Sequence, residues 1–280
     1  IYSVLSQKYK THKTFSNHNN EIGFCQTVLS MPEDTEVLIV EAGMRGLGEI
    51  ELISNFLIPD VAVITNSGSA HVGRLGSLDN IAIAKCEIVS GLKEDGFFVA
   101  KNQDIIKSHV NFFGEKIYYS LDDVEFIEKS SSYTKFRYRD NVYELNVEGD
   151  YNVENSLASI EIGRILNLSY DEIKNGLFSY RPIEKRWEVI NAGGFNFIND
   201  SYNANPDSMK AAVKTFLEFY KNPVLVLGDM GELGQNEIEY HKELGKFINK
   251  QKINSNCYII SVGTLSKNIT DNINNCMTAH

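Results

Sequence analysis

Val61-Ala62-Val63-Ile64-Thr65-Asn66 shows the pattern that decides the fold class, a short apolar run that ends in polar residues. The same pattern recurs at 37–43, 97–102, 224–229 and 258–263. Such near-continuous apolar runs are typical of strands that are buried on both faces of a parallel sheet. Helical patterns lie between them, near 49–57, 79–93, 152–166, 207–220 and 236–250. This alternation predicts an α/β fold with mostly parallel sheets.

Two features interrupt the alternation. Residues 117–147, with Tyr118-Tyr119 and Phe136-Arg137-Tyr138, alternate in polarity and predict a small antiparallel excursion. Pro182 interrupts the alternation of strands and helices, and new strand-like runs begin after it, at 187–190 and 195–198. We therefore predict two domains, at 1–182 and 183–280.

Composition excludes several functional classes. The chain has 280 residues and a formal net charge of −10, so nucleic acid is not expected as a partner. None of its four cysteines forms a C-x-x-C pair, which fits a reducing, cytoplasmic location. No run reaches the roughly 18 apolar residues of a membrane span, and the first residues do not resemble a signal peptide.

Lys85 is unusual on physical grounds alone. On a helix through 79–92 it shares one face with five apolar residues, namely Ile81, Ala82, Ile88, Val89 and Leu92. A lysine in an apolar stripe snorkels to solvent, finds a partner or loses its charge. A snorkelling lysine is the simpler interpretation. The alternative is a desolvated amine that reacts with carbonyl compounds or carbon dioxide.

Glu41 and His71 both follow predicted strands, and in parallel sheets ligands gather at the carboxyl ends of strands. The two side chains could share a divalent cation, although histidine is an unusual ligand for magnesium. If each residue is considered alone, the simpler interpretations are that Glu41 is an ordinary loop carboxylate and that His71 is a hydrogen-bonded surface residue.

Three further segments carry polar residues in excess of what local structure needs. The helix from Asn152 has a short polar face of Asn152, Asn155, Ser156 and Ser159, which is either solvated or meets a base or another backbone. The loop 200–208 leads into a helix that Asp207 or Ser208 could cap. The loop 228–234 is either a second site or only a turn. No G-x-x-x-x-G-K-[ST] phosphate loop occurs in the sequence.

Several long motifs occur in one order, and together they resemble the Mur ligase family. The motifs lie at 40–46, 64–71 and 81–88. Those at 17–23, 200–208 and 227–234 are similar to the members of the family that add D-alanyl-D-alanine. The resemblance covers nearly the whole chain and is weakest at about 101–145 and after 265.

The resemblance implies a three-domain cytoplasmic enzyme. Residues 1–182 would be most of its central, ATPase-like domain, and 183–280 part of its Rossmann-like C-terminal domain. The chain would then be a fragment that lacks the N-terminal domain and the phosphate loop, inactive on its own. The implied reaction joins D-alanyl-D-alanine to UDP-N-acetylmuramoyl-tripeptide, through an acyl phosphate formed with ATP and Mg²⁺. We also expect the protein to be a monomer.

Residue roles implied by the resemblance fall into three groups. Magnesium ligands would be Glu41, His71 and Lys85, the last as a carbamate. The nucleotide and the closure of the domains would involve Asn66, Asn152, Asn155, Arg186, Asp200, Tyr202, Asn203 and Asn205. The UDP-linked substrate would meet Asn19 and Asn20. Tyr151 stands where the family usually has histidine, which leaves the packing around adenine open.

Two alternatives remain at this point. One is a different ligase of the same fold, either another Mur enzyme or a folylpolyglutamate synthetase. The other is a non-catalytic remnant that binds nucleotide.

Overall fold

Strands and helices alternate through most of the chain, as predicted. The computed structural model describes residues 1–251 and 257–280. Up to residue 182 the elements are α1 (Tyr2–Leu5), β1 (Thr11–Lys13), α2 (Glu21–Leu29), β2 (Val37–Ile39), α3 (Glu49–Leu57), β3 (Val61–Ile64), α4 (Val72–Leu75), α5 (Leu78–Cys86), β4 (Phe97–Lys101), α6 (Asp104–His109), β5 (Glu115–Tyr119), β6 (Val124–Ser130), β7 (Tyr133–Tyr138), β8 (Asn141–Leu145), α7 (Asp150–Ile165) and α8 (Tyr170–Ser179). After it they are β9 (Glu188–Ala192), β10 (Phe195–Asn199), α9 (Pro206–Phe219), β11 (Val224–Gly228), α10 (Glu237–Asn249), β12 (Tyr258–Val262), α11 (Lys267–Thr270) and β13 (Met277–Ala279).

The sheets are mainly parallel, which confirms the predicted fold class. Parallel pairs join β1 to β2, β3 to β4 to β5, and β11 to β12 to β13. In the sheet of β3, β4 and β5, Ile64 lies opposite Ala100 and Ala100 opposite Tyr118. The predicted antiparallel excursion is the sheet of β6, β7 and β8, and a separate hairpin joins β9 to β10.

The two halves have different apolar cores, which touch at Val72 of α4. Helix α7 carries Val153, Leu157 and Ile160, all fully buried, into a cluster with β7 and β8. Another cluster joins α9, α10 and α11 to β11 and β12. The division at 182/183 stays a prediction. We call residues 1–182 the N-terminal segment and residues 183–280 the C-terminal segment.

Three predictions about these elements were wrong in detail. Tyr118-Tyr119 belongs to β5 and pairs in parallel with β4, so the excursion begins only at Val124. The helix expected at 79–93 ends at Cys86 and passes into a 3₁₀ turn, Glu87–Val89. Ser54 of α3 causes the change, because its hydroxyl donates to Ile88 O at 2.6 Å and accepts from Gly91 N.

The third prediction that was wrong is that every parallel sheet is buried on both of its faces. In the C-terminal segment, helices α9, α10 and α11 pack on one face, which carries Leu225, Leu227 and Ile259. Val224 and Val226 point to the other face and are exposed. A run of apolar residues does not reveal how many helical layers will cover it.

Within residues 1–251 and 257–280, no helix is both long and apolar enough to cross a bilayer.

We predict that Gly91→Ala destabilises the chain. A Cβ at this position would lie 2.1 Å from Ser54 O, a backbone atom that cannot move aside. Overpacking of this kind costs about 1–3 kcal/mol of unfolding free energy, which urea denaturation would measure. Gly46→Ala is the control, because its Cβ would meet only Glu49 Oε1 at 3.5 Å. Equal urea midpoints for the two variants would contradict the close packing of Gly91 against Ser54.

Candidate active site

The loop 65–71 leaves the carboxyl end of β3 and forms the floor of the candidate site. Tyr119 of β5 donates its hydroxyl to Thr65 O at 3.3 Å, and Ser67 N donates to Gln103 Oε1 at 2.7 Å. Both partners belong to the neighbouring strands or the turn after them. The sheet therefore sets the course of the loop, as expected for parallel strand ends.

Lys85 reaches this loop from α5. Its Nζ donates to Asn66 O at 2.7 Å, while the side chain is half-buried. Desolvation lowers the pKa of the Lys85 ammonium below its ordinary value. The amine is therefore neutral more often than a surface lysine, which is the state that reacts with carbon dioxide.

Glu41 follows β2 and lies beside Asn19. Asn19 Nδ2 donates to Glu41 Oε1 at 3.0 Å, and Gly43 N donates to Asn19 O at 2.7 Å. A Cβ on Gly43 would lie 2.7 Å from Asn19 Cγ, so glycine allows this close approach. The residue predicted to meet the UDP-linked substrate is thus adjacent to a predicted metal ligand. Asn20, in contrast, caps α2 by accepting from Gly23 N.

His71 lies at the other end of the loop and contacts the C-terminal segment. Its Nδ1 is 2.6 Å from Glu232 Oε2, and its backbone is left-handed, with φ of 67°. Each of the three predicted metal ligands thus has a different protein partner. No three His, Cys, Asp or Glu side chains are grouped for a metal ion in the ranges that the structure describes.

Two carboxylates of the C-terminal segment hold the same part of the N-terminal segment. Asp207 Oδ2 accepts from Ser69 N at 2.8 Å and from Ser69 Oγ at 2.7 Å. Glu232 Oε1 accepts from Arg74 Nε at 2.8 Å. Burial acts to raise the pKa of Glu232, but hydrogen bonds from His71 and Arg74 outweigh it and hold the pKa below its ordinary value.

Sequence reasoning missed both contacts, because their partners lie 138 residues apart for Asp207 and up to 161 for Glu232. Asp207 was considered only as a helix cap. The cap is instead Asn205, whose Oδ1 accepts from Asp207 N and Ser208 N. This frees the Asp207 carboxylate for Ser69. For Glu232, the only signal in the sequence was its position as an acidic residue in the glycine-rich loop 228–234.

The predicted nucleotide residues of the C-terminal segment lie near one another. The Arg186 guanidinium stands 4.0 Å above the Tyr202 ring. Trp187 N donates to Asp200 Oδ1 at 3.1 Å, and desolvation raises the pKa of Asp200 against the opposing effects of that bond and of Arg186. Asn203 Oδ1 accepts from Ala204 N and so shapes its own loop.

The polar face of α7 is partly buried. Asn152 Nδ2 donates to Glu148 O at 2.7 Å, and Asn155 is exposed. Ser156 and Ser159 are buried, and Ser156 Oγ donates to Val153 O. Along this face, Asn152 is therefore half-buried and Asn155 exposed, whereas Ser156 and Ser159 are buried.

Glu148, before α7, connects the two segments and was not singled out from the sequence. It is buried, and its Oε1 accepts from Trp187 Nε1 at 2.7 Å and from Tyr220 OH at 2.8 Å. Tyr151 packs edge-on against Trp187, with ring centroids 6.1 Å apart. Aromatic residues therefore occupy the junction between the two segments.

Comparison with known proteins identifies the relatives of this arrangement. Residues 1–163 match the model of the Mur ligase middle domain. Residues 185–273 match that of the Mur ligase, glutamate ligase domain.

Two curated relatives bear the same name, UDP-N-acetylmuramoyl-tripeptide–D-alanyl-D-alanine ligase. The Bacillus subtilis protein is 40% identical over 263 residues, which cover 90% of this chain and 57% of the relative. The Escherichia coli protein is 31% identical over 282 residues, which cover 96% of this chain and 62% of the relative. The chain thus spans less than two thirds of the length of either.

Solved structures agree. A crystal structure of MurF from Acinetobacter baumannii has a TM-score of 0.88 and 27% identity, covering 99% of this chain and 63% of its own. MurF ligase from Thermotoga maritima in complex with ADP shares the fold, with a TM-score of 0.86 and 24% identity over 100% of this chain and 66% of its own. The middle-domain match covers 163 of the 280 residues, and the chain belongs to the Mur ligase family.

Proposed function

We propose that this chain is the nucleotide- and metal-binding part of an ATP-dependent ligase that joins D-alanyl-D-alanine to UDP-N-acetylmuramoyl-tripeptide. The complete protein would act as a cytoplasmic monomer in the synthesis of peptidoglycan precursors. The similarity to the B. subtilis ligase over 90% of the chain supports this assignment.

The observation that carries the proposal is the half-buried amine of Lys85 against the loop after β3. Its lowered pKa favours the neutral form, which adds carbon dioxide to give a carbamate and a proton. The carbamate converts a cation into an anion with two oxygen atoms. An apolar helix face would not otherwise offer such a group to a cation.

The donor chemistry of Glu41, His71 and the modified Lys85 fits a divalent cation. Glu41 and the carbamate would supply oxygen atoms, which Mg²⁺ prefers, and His71 a ring nitrogen. Bound Mg²⁺ would neutralise charge on the transferring phosphoryl group. Asn19, which holds the Glu41 carboxylate at 3.0 Å, would orient it.

The remaining residues would position substrates, since phosphoryl transfer needs positioning more than covalent help. Asn66 would lie beside the phosphates, and Asn152 and Asn155 would face the adenine. Asn19 and Asn20 would meet the UDP-linked substrate.

In the C-terminal segment, Arg186, Asp200, Tyr202, Asn203 and Asn205 would complete the nucleotide site. The contact of Asp207 with Ser69 supports this role, because it holds the loop against the segment 65–71, where Asn66 would lie beside the phosphates. Closure there would exclude water, which otherwise hydrolyses an acyl phosphate.

We predict that the complete protein releases phosphate from ATP only when both UDP-N-acetylmuramoyl-tripeptide and D-alanyl-D-alanine are present. A coupled phosphate assay with mass spectrometry of the product measures this. Glutamate with a folate, and single amino acids with the UDP-sugar, are the control pairs. Turnover with a control pair and not with D-alanyl-D-alanine would assign the chain to a different ligase.

Lys85→Ala is expected to lower the ligation rate by more than about 100-fold, beyond the usual cost of losing an outer partner of a metal ligand. Short carboxylic acids added to the buffer should restore part of the rate, because they replace the carbamate oxygens. Lys93→Ala is the control, since Lys93 is an exposed lysine that pairs with Asp60. Wild-type turnover in Lys85→Ala would rule out the role.

Carbamate formation on Lys85 should be visible directly. In ¹³C-bicarbonate, the wild-type chain should show a carbamate carbonyl signal by NMR that Lys85→Ala lacks. The signal should grow with pH and level off below the ordinary lysine pKa, because desolvation lowers the pKa of Lys85 and its amine becomes neutral earlier than a surface lysine. An identical spectrum for the two proteins would contradict the modification.

A further inference from the structure

Glu232 is the point at which the C-terminal segment meets the loop after β3. Its two carboxylate oxygens serve different partners. Oε2 lies 2.6 Å from His71 Nδ1, and Oε1 accepts from Arg74 Nε at 2.8 Å and Nη2 at 2.7 Å. Its backbone carbonyl accepts from Gly73 N at 2.9 Å. One residue thus contacts three of the four residues at 71–74.

The backbones at this contact leave no space for a side chain on Gly73. A Cβ there would lie 2.4 Å from Gly234 N and 2.6 Å from Glu232 O. The backbone contact therefore fixes the position of the Glu232 carboxylate, which does not depend on a flexible side chain extended through solvent.

Both members of the pair adopt backbone conformations that favour glycine. The φ angle is 59° at Glu232 and 67° at His71. L-residues with side chains pay an energetic penalty there, and glycine does not. Glu232 lies between Gly231 and Gly234, yet it keeps a charged side chain. Strained non-glycine residues cluster at functional sites, which points to a role for the carboxylate.

Stability does not explain the contact. The side chains of Arg74 and Glu232 are 48% and 39% exposed, and ion pairs at such exposure contribute little to folding. What the contact does determine is the state of the His71 ring. An ionised carboxylate only accepts hydrogen bonds, so Nδ1 must carry the proton. The neutral ring then offers its lone pair at Nε2.

We propose that Glu232 is a positioning residue that fixes the Nδ1–H tautomer of His71 when the two segments are in contact, leaving Nε2 as the ligand atom. A histidine that binds a metal usually donates its other ring N–H to a carboxylate or a carbonyl. The carboxylate here comes from the other segment. The contact that brings the two segments together therefore also fixes the tautomer of His71. That His71 binds a cation rests on the proposed function, whereas the tautomer does not.

The test is ¹⁵N NMR of the histidine-labelled, metal-free chain at a pH above the ordinary histidine pKa, with His71 assigned by His71→Gln. Wild type should show His71 mainly as the Nδ1–H tautomer. Glu232→Gly removes the carboxylate and suits a φ of 59°, so it should shift His71 toward Nε2–H without backbone strain. Arg74→Ala leaves the carboxylate in place and should keep the wild-type tautomer.

Asp271→Asn, which breaks an exposed pair with Lys267 inside the C-terminal segment, should change nothing. An unchanged His71 tautomer in Glu232→Gly would overturn the proposal, as would Nε2–H in the wild type. Chemical shifts of the remaining histidines report whether each variant is folded.

In the complete protein, Glu232→Gly should raise the Mg²⁺ concentration for half-maximal ligation by about 10–100-fold. A wild-type Mg²⁺ dependence would overturn the link between the tautomer and the cation. If the wild-type protein ligates no D-alanyl-D-alanine, the proposed function fails, and the NMR result alone still decides the role of Glu232.

Discussion

The parallel pairing of β3 with β4 and β5 is the constraint on which the candidate site depends. It fixes the point at which the loop 65–71 leaves the sheet, and Tyr119 and Gln103 then fix its course. Lys85 meets this loop at Asn66, and the C-terminal segment meets it at Ser69 and His71. A shift of the loop would therefore disturb every other contact at once.

The two segments meet at this loop through two carboxylates, and next to them Val72 packs against the apolar core of the C-terminal segment. Glu232 accepts hydrogen bonds from the partly exposed side chains of His71 and Arg74, and such contacts exchange for water at small net cost. Asp207 binds Ser69, which is buried. Glu148 is also buried and binds Trp187 and Tyr220 close to the junction. The contacts of Glu148 and Ser69 are thus the buried part of the interface, and the side-chain contacts of Glu232 are its more exposed part.

Desolvation gives Lys85 and Asp200 their chemical character. Burial lowers the pKa of Lys85, and it raises that of Asp200. Both shifts favour the neutral form of a group that is charged on a protein surface. Shifted pKa values of this kind cluster at functional sites, which agrees with the roles proposed for both residues.

The sequence by itself determined the α/β class, the order of the strands and helices, and the unusual position of Lys85, because these follow from local periodicity. It also placed polar residues at strand ends. Only the tertiary structure decided that Tyr118-Tyr119 joins the parallel sheet, that one face of the sheet of β11, β12 and β13 is uncovered, and that Asn205 caps α9. Only the tertiary structure, likewise, brought Asp207 to Ser69 and Glu232 to His71. Contacts over more than 130 residues depend on how layers pack, and no local pattern encodes which carboxylate will face which donor.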